Sequence, residues 1–458
     1  MKFRHLLLAT TMATGLFAVS AHAADVFTPA VGEGSNITWK SLEDFKAAHQ
    51  GLAGQKLTIW DAWVNEGDKA QWEAVLKYFK DATGIDAQDN SSKNYEEQAR
   101  IDLQAGSPSD ILILPQPGLL ADFAKQGYLT DLGADTTKWV TDNYAAGASW
   151  AALGQFTGKD GAVHQYGFPY KQEFKSLVWY SPDNFKEKGY TVPKTMEELL
   201  ALTDKIVADG GTPWCIGIES GGATGWVATD WIEDLMLRTQ APDVYDGWVK
   251  NTVKFNDPRV IAALDIFGSI VKDDKKVAGG TKAVATTAFG DSPKGLFTVP
   301  PQCYLHRQAS FIASFFPEGS VAGQDYDFFY MPPYASHPEL GNPVLGAGNI
   351  VTITKDSPAA RAFIDFLKTP VAHEIWMAQP NSAFLSALKS VNTAAYSSDA
   401  LRKQGEILLG ATTFRFDGSD LMPGPIGAGA FWTGMTDFVN GKSSKDVADQ
   451  IQAAWDKL

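Results

Sequence analysis

The sequence predicts an α/β chain folded as two lobes, with the backbone passing between them more than once. Strand and helix patterns alternate from Lys56 to Leu132, and a second alternating block begins at Pro213. No linker in the chain is long enough to separate independent modules. Alternation of this kind argues for parallel sheets wrapped by helices, which take ligands at the carboxyl ends of their strands.

The elements follow in chain order. Lys2 and Arg4 lead an apolar run from Leu6 to Val19 and then Ala21-His22-Ala23, the pattern of a secretory signal peptide cut after Ala23. A membrane anchor is the weaker reading, because the run is short and ends in a cleavage signal. No other segment approaches the roughly 18 apolar residues of a spanning helix. The two cysteines, Cys215 and Cys303, lie far from the cleavage site, so an unlipidated periplasmic protein is expected. Residues 24–54 read as an N-terminal extension, loose at first and helical from about Ser41 to His49.

Strand Lys56–Trp60 opens the first alternating block and breaks into the polar loop Asp61 to Lys69. The helix behind it carries Trp72, Val75, Leu76 and Phe79 at helical spacing and closes at Gly84. A second amphipathic segment, Tyr95 to Leu103, precedes strand Asp110–Leu114, the turn Pro115-Gln116-Pro117-Gly118 and a helix ending near Gly127. The pattern loosens from Trp139 to Gly167 and resumes with strand Phe174–Tyr180. Pro193 to Leu199 reads as a capped helix start, with Thr195 as N-cap and Glu198 as its partner. The second block predicts strands at Pro213–Ile218, Gly295–Val299, Tyr326–Met331 and Gly348–Thr354, with helices from about Trp226 to Leu237, Pro258 to Val271 and Pro358 to Leu367. The C-terminal quarter is mostly helical, interrupted by the proline- and glycine-rich stretch Met422 to Gly429.

Charge and motifs narrow the function. The formal charge of −14 becomes more acidic by two once Lys2 and Arg4 leave. With no basic cluster, nucleic acid and anionic membrane are poor partners. Gly441-Lys442-Ser443 lacks the upstream glycine of a phosphate loop, since Thr436 stands there. Gly290 to Gly295 is one residue too long for a nucleophile elbow. His373-Glu374 lacks the second histidine of a zinc helix, and the histidines form no metal-ligand spacing. No metal and no cofactor are expected. Catalysis by carboxylates drawn together from Glu66, Glu173 and Asp230 stays open, although no local motif supports it.

Candidate ligand contacts sit where the pattern puts loops beyond strand ends. Trp63 is either a core anchor, as tryptophans often are, or a flat platform for a pyranose ring. Glu66 is either a solvated charge or an acceptor of sugar hydroxyls, and Gln116 a turn residue or a second reader. Trp226 and Asp230 are four apart on one helix face, which suits a core residue and a capping charge as well as a ligand pair. Trp432 opens the last helical region, and Tyr304 and His306 follow Pro300-Pro301. Several such aromatics from distant segments, each beside a polar partner, favour a sugar-type cleft. Cys215 and Cys303 both sit at strand ends in the second lobe, where neighbouring parallel strands bring them close; a disulfide is expected.

Taken in order, several stretches resemble a known family. They are Leu57 to Trp60, Thr83-Gly84-Ile85, Asp110-Ile111, Gly127 to Leu132, Tyr166 to Pro169 with Ser176 to Tyr180, Pro193 to Leu199, Ala387 to Ser390, and Ala430-Phe431-Trp432. Together they resemble the maltose-type extracellular solute-binding proteins over nearly all of the chain after Gly54. Pro213 to Gly222, Gly290 to Gly295 and Tyr304 to Gln308 are most similar to the periplasmic α-glucoside-binding proteins of ABC importers.

The resemblance implies a two-lobed periplasmic-binding-protein fold with hinge crossovers and a ligand cleft between the lobes. The expected division is 55–171 and 332–386 in the first lobe, 172–331 and 387–458 in the second. It implies a non-catalytic monomer that takes an α-glucoside such as sucrose, maltose or trehalose and delivers it to inner-membrane permease subunits. Motif position matches Glu66 and Glu173 to the acidic contacts, Gly348 to a glycine turn lining the cleft, and Trp432 to the stacking tryptophan. Pro115-Gln116-Pro117 departs from the maltose pattern and favours a different disaccharide preference. A secreted glycoside-processing enzyme and a polyamine binder are the alternatives.

Overall fold

Leu57 and Ile59 alternate with polar neighbours and bury one side of β1 (Lys56–Trp60), the strand on which the first lobe is built. The computed structural model describes residues 26–458 apart from 35, 146, 411 and 412, so the expected signal peptide lies outside the described residues. β1 runs parallel to β2 (Asp86–Asp89) and β3 (Ile111–Leu114). Every residue of β3 is buried. Ile111 and Ile113 enter one core, and Leu112 and Leu114 enter another on the opposite face. Helices therefore cover both sides of the sheet. The helix Glu66–Thr83 is capped by Asn65, whose side chain accepts from the Asp68 N–H, and stops at left-handed Gly84.

A hairpin of β4 (Gln155–Thr157) and β5 (Val163–Gln165) precedes β6 (Gly167–Phe174). The long strand β10 (Pro343–Ile353) lies antiparallel to both β3 and β6 and parallel to β11 (Thr413–Phe416). The sheet order is β11-β10-β3-β1-β2, with β6 on the other edge of β10. It is a mixed sheet, not the wholly parallel one expected, because the chain returns from the second lobe in the opposite direction.

The second lobe has a small antiparallel sheet, β8-β7-β9, of β7 (Leu177–Tyr180), β8 (His306–Arg307) and β9 (Asp327–Tyr330). Its core lies among the helices Met196–Ala208, Trp226–Thr239, Pro258–Val271, Trp432–Val439 and Ser444–Trp455. Half of the expected capping box is present at the first of these, with Glu198 reaching the N–H one residue before the cap. Thr195 accepts from the Glu198 N–H, and Glu198 accepts from the Lys194 N–H at 2.7 Å. The backbone crosses between lobes at 174–177, 330–343 and 416–418.

Several expectations need correction. Residues 387–416 lie with the first lobe, because β11 pairs with β10 and the Ala145 N–H donates to the Ala387 carbonyl. Gly295–Val299 is no strand: Pro293 sits within a 3₁₀ helix, Ser292–Phe297, that packs Gly295 against the two cysteine sulfurs. Pro213–Ile218 forms isolated bridges only. The parallel bridge of Trp214 with Leu305 nonetheless aligns the expected disulfide. Cys215 and Cys303 are joined, with Cα atoms 5.5 Å apart. Closing a loop of 88 residues constrains the unfolded chain by about 4.6 kcal/mol.

The N-terminal extension is more than a loose arm. Its helix Trp39–Ala48 buries Trp39, Leu42 and Phe45, and Thr38 is held by Glu374 through N–H and hydroxyl. The Tyr78 hydroxyl donates to the Pro29 carbonyl at 2.6 Å.

Candidate functional site

The strand β6 carries Lys171 and Glu173 at alternate positions, and Lys175 follows two residues on, just past the strand's end and within the first crossing. All three are buried, and each charge meets the lobe nearest to it. Lys171 lies 3.6 Å from Asp68 and sits over the rings of Trp63 and Trp376 at 5.9 and 5.2 Å. Lys175 donates to Asp230 at 2.9 Å and to Asp417, and its ammonium lies 5.2 Å from the centre of the Trp226 ring. Glu173 stands between them. Burial raises its pKa, opposed by Lys171 and Lys175.

On the first-lobe side, Gln116 precedes the helix Pro117–Gln126 and donates to Glu96 at 3.0 Å. Burial raises the Glu96 carboxyl to about 7. The Gln116 carbonyl oxygen and the indole N–H of Trp63 are buried with no hydrogen-bond partner among the described residues. On the second-lobe side, Gly225 at φ +117° precedes Trp226, and a Cβ there would lie 2.2 Å from the Trp432 carbonyl. Glycine is thus what lets the two tryptophan-bearing helices meet at their starts. Trp226 is half-buried, edged by Phe289 and Phe311. Trp432 is buried, with its indole N–H unpartnered. The lobes touch where the Gly424 N–H donates to Asp122 at 3.1 Å.

Behind Trp226 lies a dense carboxylate group. Asp230, Glu233 and Asp417 bring ligand-type oxygens within 4.8 Å of one another. The Lys175 ammonium, bonded to two of them, supplies the cation there. Burial would raise Asp417, but Lys175 outweighs it and holds that carboxyl low. Glu233 and Asp420 are pushed well above the ordinary range, first by burial and then by the Asp417 charge. Asp230, Glu233, Asp234, Asp417 and Asp420 are all buried, against the cations Lys175, Arg238 and Arg307. Burial and the Asp417 charge thus push Glu233 and Asp420 toward the neutral form, which offsets that excess.

The predicted residues divide accordingly. Gln116, Glu173, Trp226 and Trp432 gather about the junction of the lobes. Trp63 is 3% exposed and edge-packed on Trp72 and Trp376 at 4.8 and 4.7 Å, the core-anchor arrangement and not a platform. Asp230 accepts from Lys175 and lies 3.5 Å from Arg307, so its carboxyl faces buried cations. Tyr304 packs on Tyr190 at 5.4 Å inside the second-lobe core, because a Tyr side chain can fill the space above Gly211. Gly348 is mid-strand, not in a turn; a Cβ would meet the Lys171 carbonyl at 2.7 Å where β10 shifts register against β6. Glu66 opens its helix, and its side chain lies outside what is described.

Sequence reasoning missed Asp68, Glu96, Lys171, Lys175, Asp417 and Asp420. The alternating charges 171, 173 and 175, running from a wholly buried strand into the crossing, were the available signal.

With this geometry in hand, comparison with known proteins is specific. Residues 63–374 match the family model described as bacterial extracellular solute-binding protein. The chain is 63% identical to the alpha-glucosides-binding periplasmic protein AglE of Rhizobium meliloti, over 95% of this chain and 94% of that one. It is 42% identical to the osmoprotective compounds-binding protein GgtB of Synechocystis sp., over 88% and 92%. The solved structure of the bacterial solute receptor AcbH superposes with a TM-score of 0.75 at 20% identity, over 88% of this chain and 98% of that one. The fold is the two-lobed periplasmic sugar-binding fold.

Proposed function

The chain belongs to the bacterial extracellular solute-binding protein family, and from that premise we propose that it is the periplasmic, non-catalytic receptor of an ABC importer for α-glucosides. The observation that carries the ligand class is the identity with the Rhizobium meliloti α-glucoside binder across almost the whole length of both chains. The site agrees chemically. Trp226 offers ring surface for a pyranose and the buried Trp432 beside it an unpartnered indole N–H, while Glu173, Glu96 and Gln116 offer acceptors and a donor for its hydroxyls. Contacts drawn from both lobes form together only on closure, so binding shifts the population toward the closed form that a permease reads.

A signal peptide cut after Ala23 and a monomeric receptor belong to the same proposal. The hydrolase alternative is weakened by the pairing of Asp230 with Lys175 and Arg307.

Incubation with sucrose, maltose and trehalose tests the reading. At least one sugar should raise the melting temperature and be recovered intact; at about 100 times Kd it adds about 2.7 kcal/mol. Release of glucose makes the protein an enzyme. A shift by polyamines alone, with none by any sugar, replaces the ligand class.

A further inference from the structure

Trp226, Asp230, Asp234 and Arg238 occupy every fourth position of the helix Trp226–Thr239 and so share one face. Down this face, successive side chains grip the three places where the backbone crosses between the lobes. Lys175 of the first crossing donates to Asp230 at 2.9 Å and also to Asp417 of the third. The Ser176 hydroxyl donates to Asp234 at 2.7 Å and accepts from the Leu345 N–H at 2.9 Å, at the far end of the second crossing. Arg238 donates to the Met331 and Pro332 carbonyls at 3.0 and 3.1 Å, where the second crossing begins.

The grip is braced from the side. Arg307 on β8 reaches Asp230 at 3.5 Å and Asp234 at 3.0 Å, and Arg238 pairs with Asp234. Glu233, one position off the face, accepts from the Ser419 N–H at 2.9 Å, just past the third crossing. Asp230, Asp234, Arg238 and Arg307 are at most 1% exposed, so these contacts form away from solvent screening.

We propose that this helix is a lever joining the ligand to the hinge. Trp226 senses the sugar at one end, and Asp234 and Arg238 are positioning residues that fix where the three crossings bend. Neither touches the ligand. The proposal rests on the binding-protein reading for its purpose but not for its geometry. With the grip intact, the crossings bend as a unit about one fulcrum. With it loosened, each crossing flexes separately and the ligand-free lobes sample wider separations. The sugar must then spend more of its binding free energy on closure, which lowers apparent affinity in proportion to the lost population.

The experiment is a distance measurement between spin labels placed at exposed Lys93→Cys in the first lobe and Lys282→Cys in the second, with the Cys215–Cys303 bridge kept oxidised. In the ligand-free protein, Asp234→Asn and the milder Ser176→Ala should both shift the distance distribution to longer values. Maltose binding, the probe used, should weaken by about 5- to 10-fold in Asp234→Asn, and Ser176→Thr should restore the wild-type distribution. An unchanged ligand-free distribution in folded Ser176→Ala overturns the lever. So does weaker maltose binding with no change in distribution, which is the mark of a merely local role. If the wild type binds no α-glucoside, the functional reading falls while the ligand-free distances still decide the lever.

Discussion

Lys175→Met lowers the unfolding free energy by about 3–5 kcal/mol at neutral pH, the scale for removing one partner of a buried ion pair. Methionine is one heavy atom shorter but fills most of the space of the lysine stem, so the loss is chiefly one of charge. Asp230 and Asp417 remain, 0% and 1% exposed, with the ammonium that served both of them gone. Lys175 holds the Asp417 carboxyl below its ordinary value, so this pairing stabilises above the unfolded pKa and is lost as pH falls through the folded one. In the variant that contribution is missing. The gap between wild type and variant is therefore widest near neutrality and narrows in acid, where both carboxyls take up protons. Adding Asp417→Asn to the variant should recover more than half of the loss, because the Asn oxygen still accepts from Ser419 and the Asp420 N–H. Urea unfolding at pH 7 and pH 5 measures all of this. A change below about 1 kcal/mol at pH 7 would mean the cluster is already relaxed by water or protons.

Trp226→Ala should weaken α-glucoside binding by about 1–3 kcal/mol while the protein stays folded. The ring is half-buried at the lobe junction, rests on Phe289 and Phe311 at its edges, and faces Lys175. Trp63→Ala should behave in the opposite way. That indole is enclosed by Trp72 and Trp376 in the first-lobe core, so its loss costs about 3–5 kcal/mol of stability as a cavity. Titration calorimetry and thermal melts of the two variants separate the roles. If Trp63→Ala loses affinity at unchanged stability and Trp226→Ala does neither, the assignment of platform and anchor is reversed.

Much of the fold was legible because its determinants are local. The alternation of β1, the Gly84 stop, the Thr195 cap and the helix carrying Trp226 all follow from residues within a few positions of one another. The disulfide was expected from two cysteines at supposed strand ends; those strands do not form, but the isolated bridge of Trp214 with Leu305 brings the cysteines together all the same. What failed was non-local. Residues 387–416 were expected in the second lobe, and pairings with distant segments, Leu388 with Tyr144 and β11 with β10 about seventy residues earlier in the chain, hold them in the first. Gly295–Val299 has strand-like apolar residues, yet Pro293 and the approach to the disulfide fold it into a 3₁₀ turn.

The site divides on the same line. Gln116, Trp226 and Trp432 were expected from their loops and helix starts and Glu173 from the family resemblance, and they remain candidates at the junction of the lobes. Asp230 was misread because its partners, Lys175 and Arg307, lie far away in sequence. The fourfold spacing of 226, 230, 234 and 238 was nonetheless present in the sequence, and marked one face of one helix.

The central claim is a receptor that closes on an α-glucoside, and small-angle X-ray scattering tests it most directly. On saturation with its sugar the radius of gyration should fall and then stay constant, with the sugar recovered unchanged. Tight binding at constant radius would contradict closure, and no binding of any α-glucoside at any pH would contradict the receptor itself.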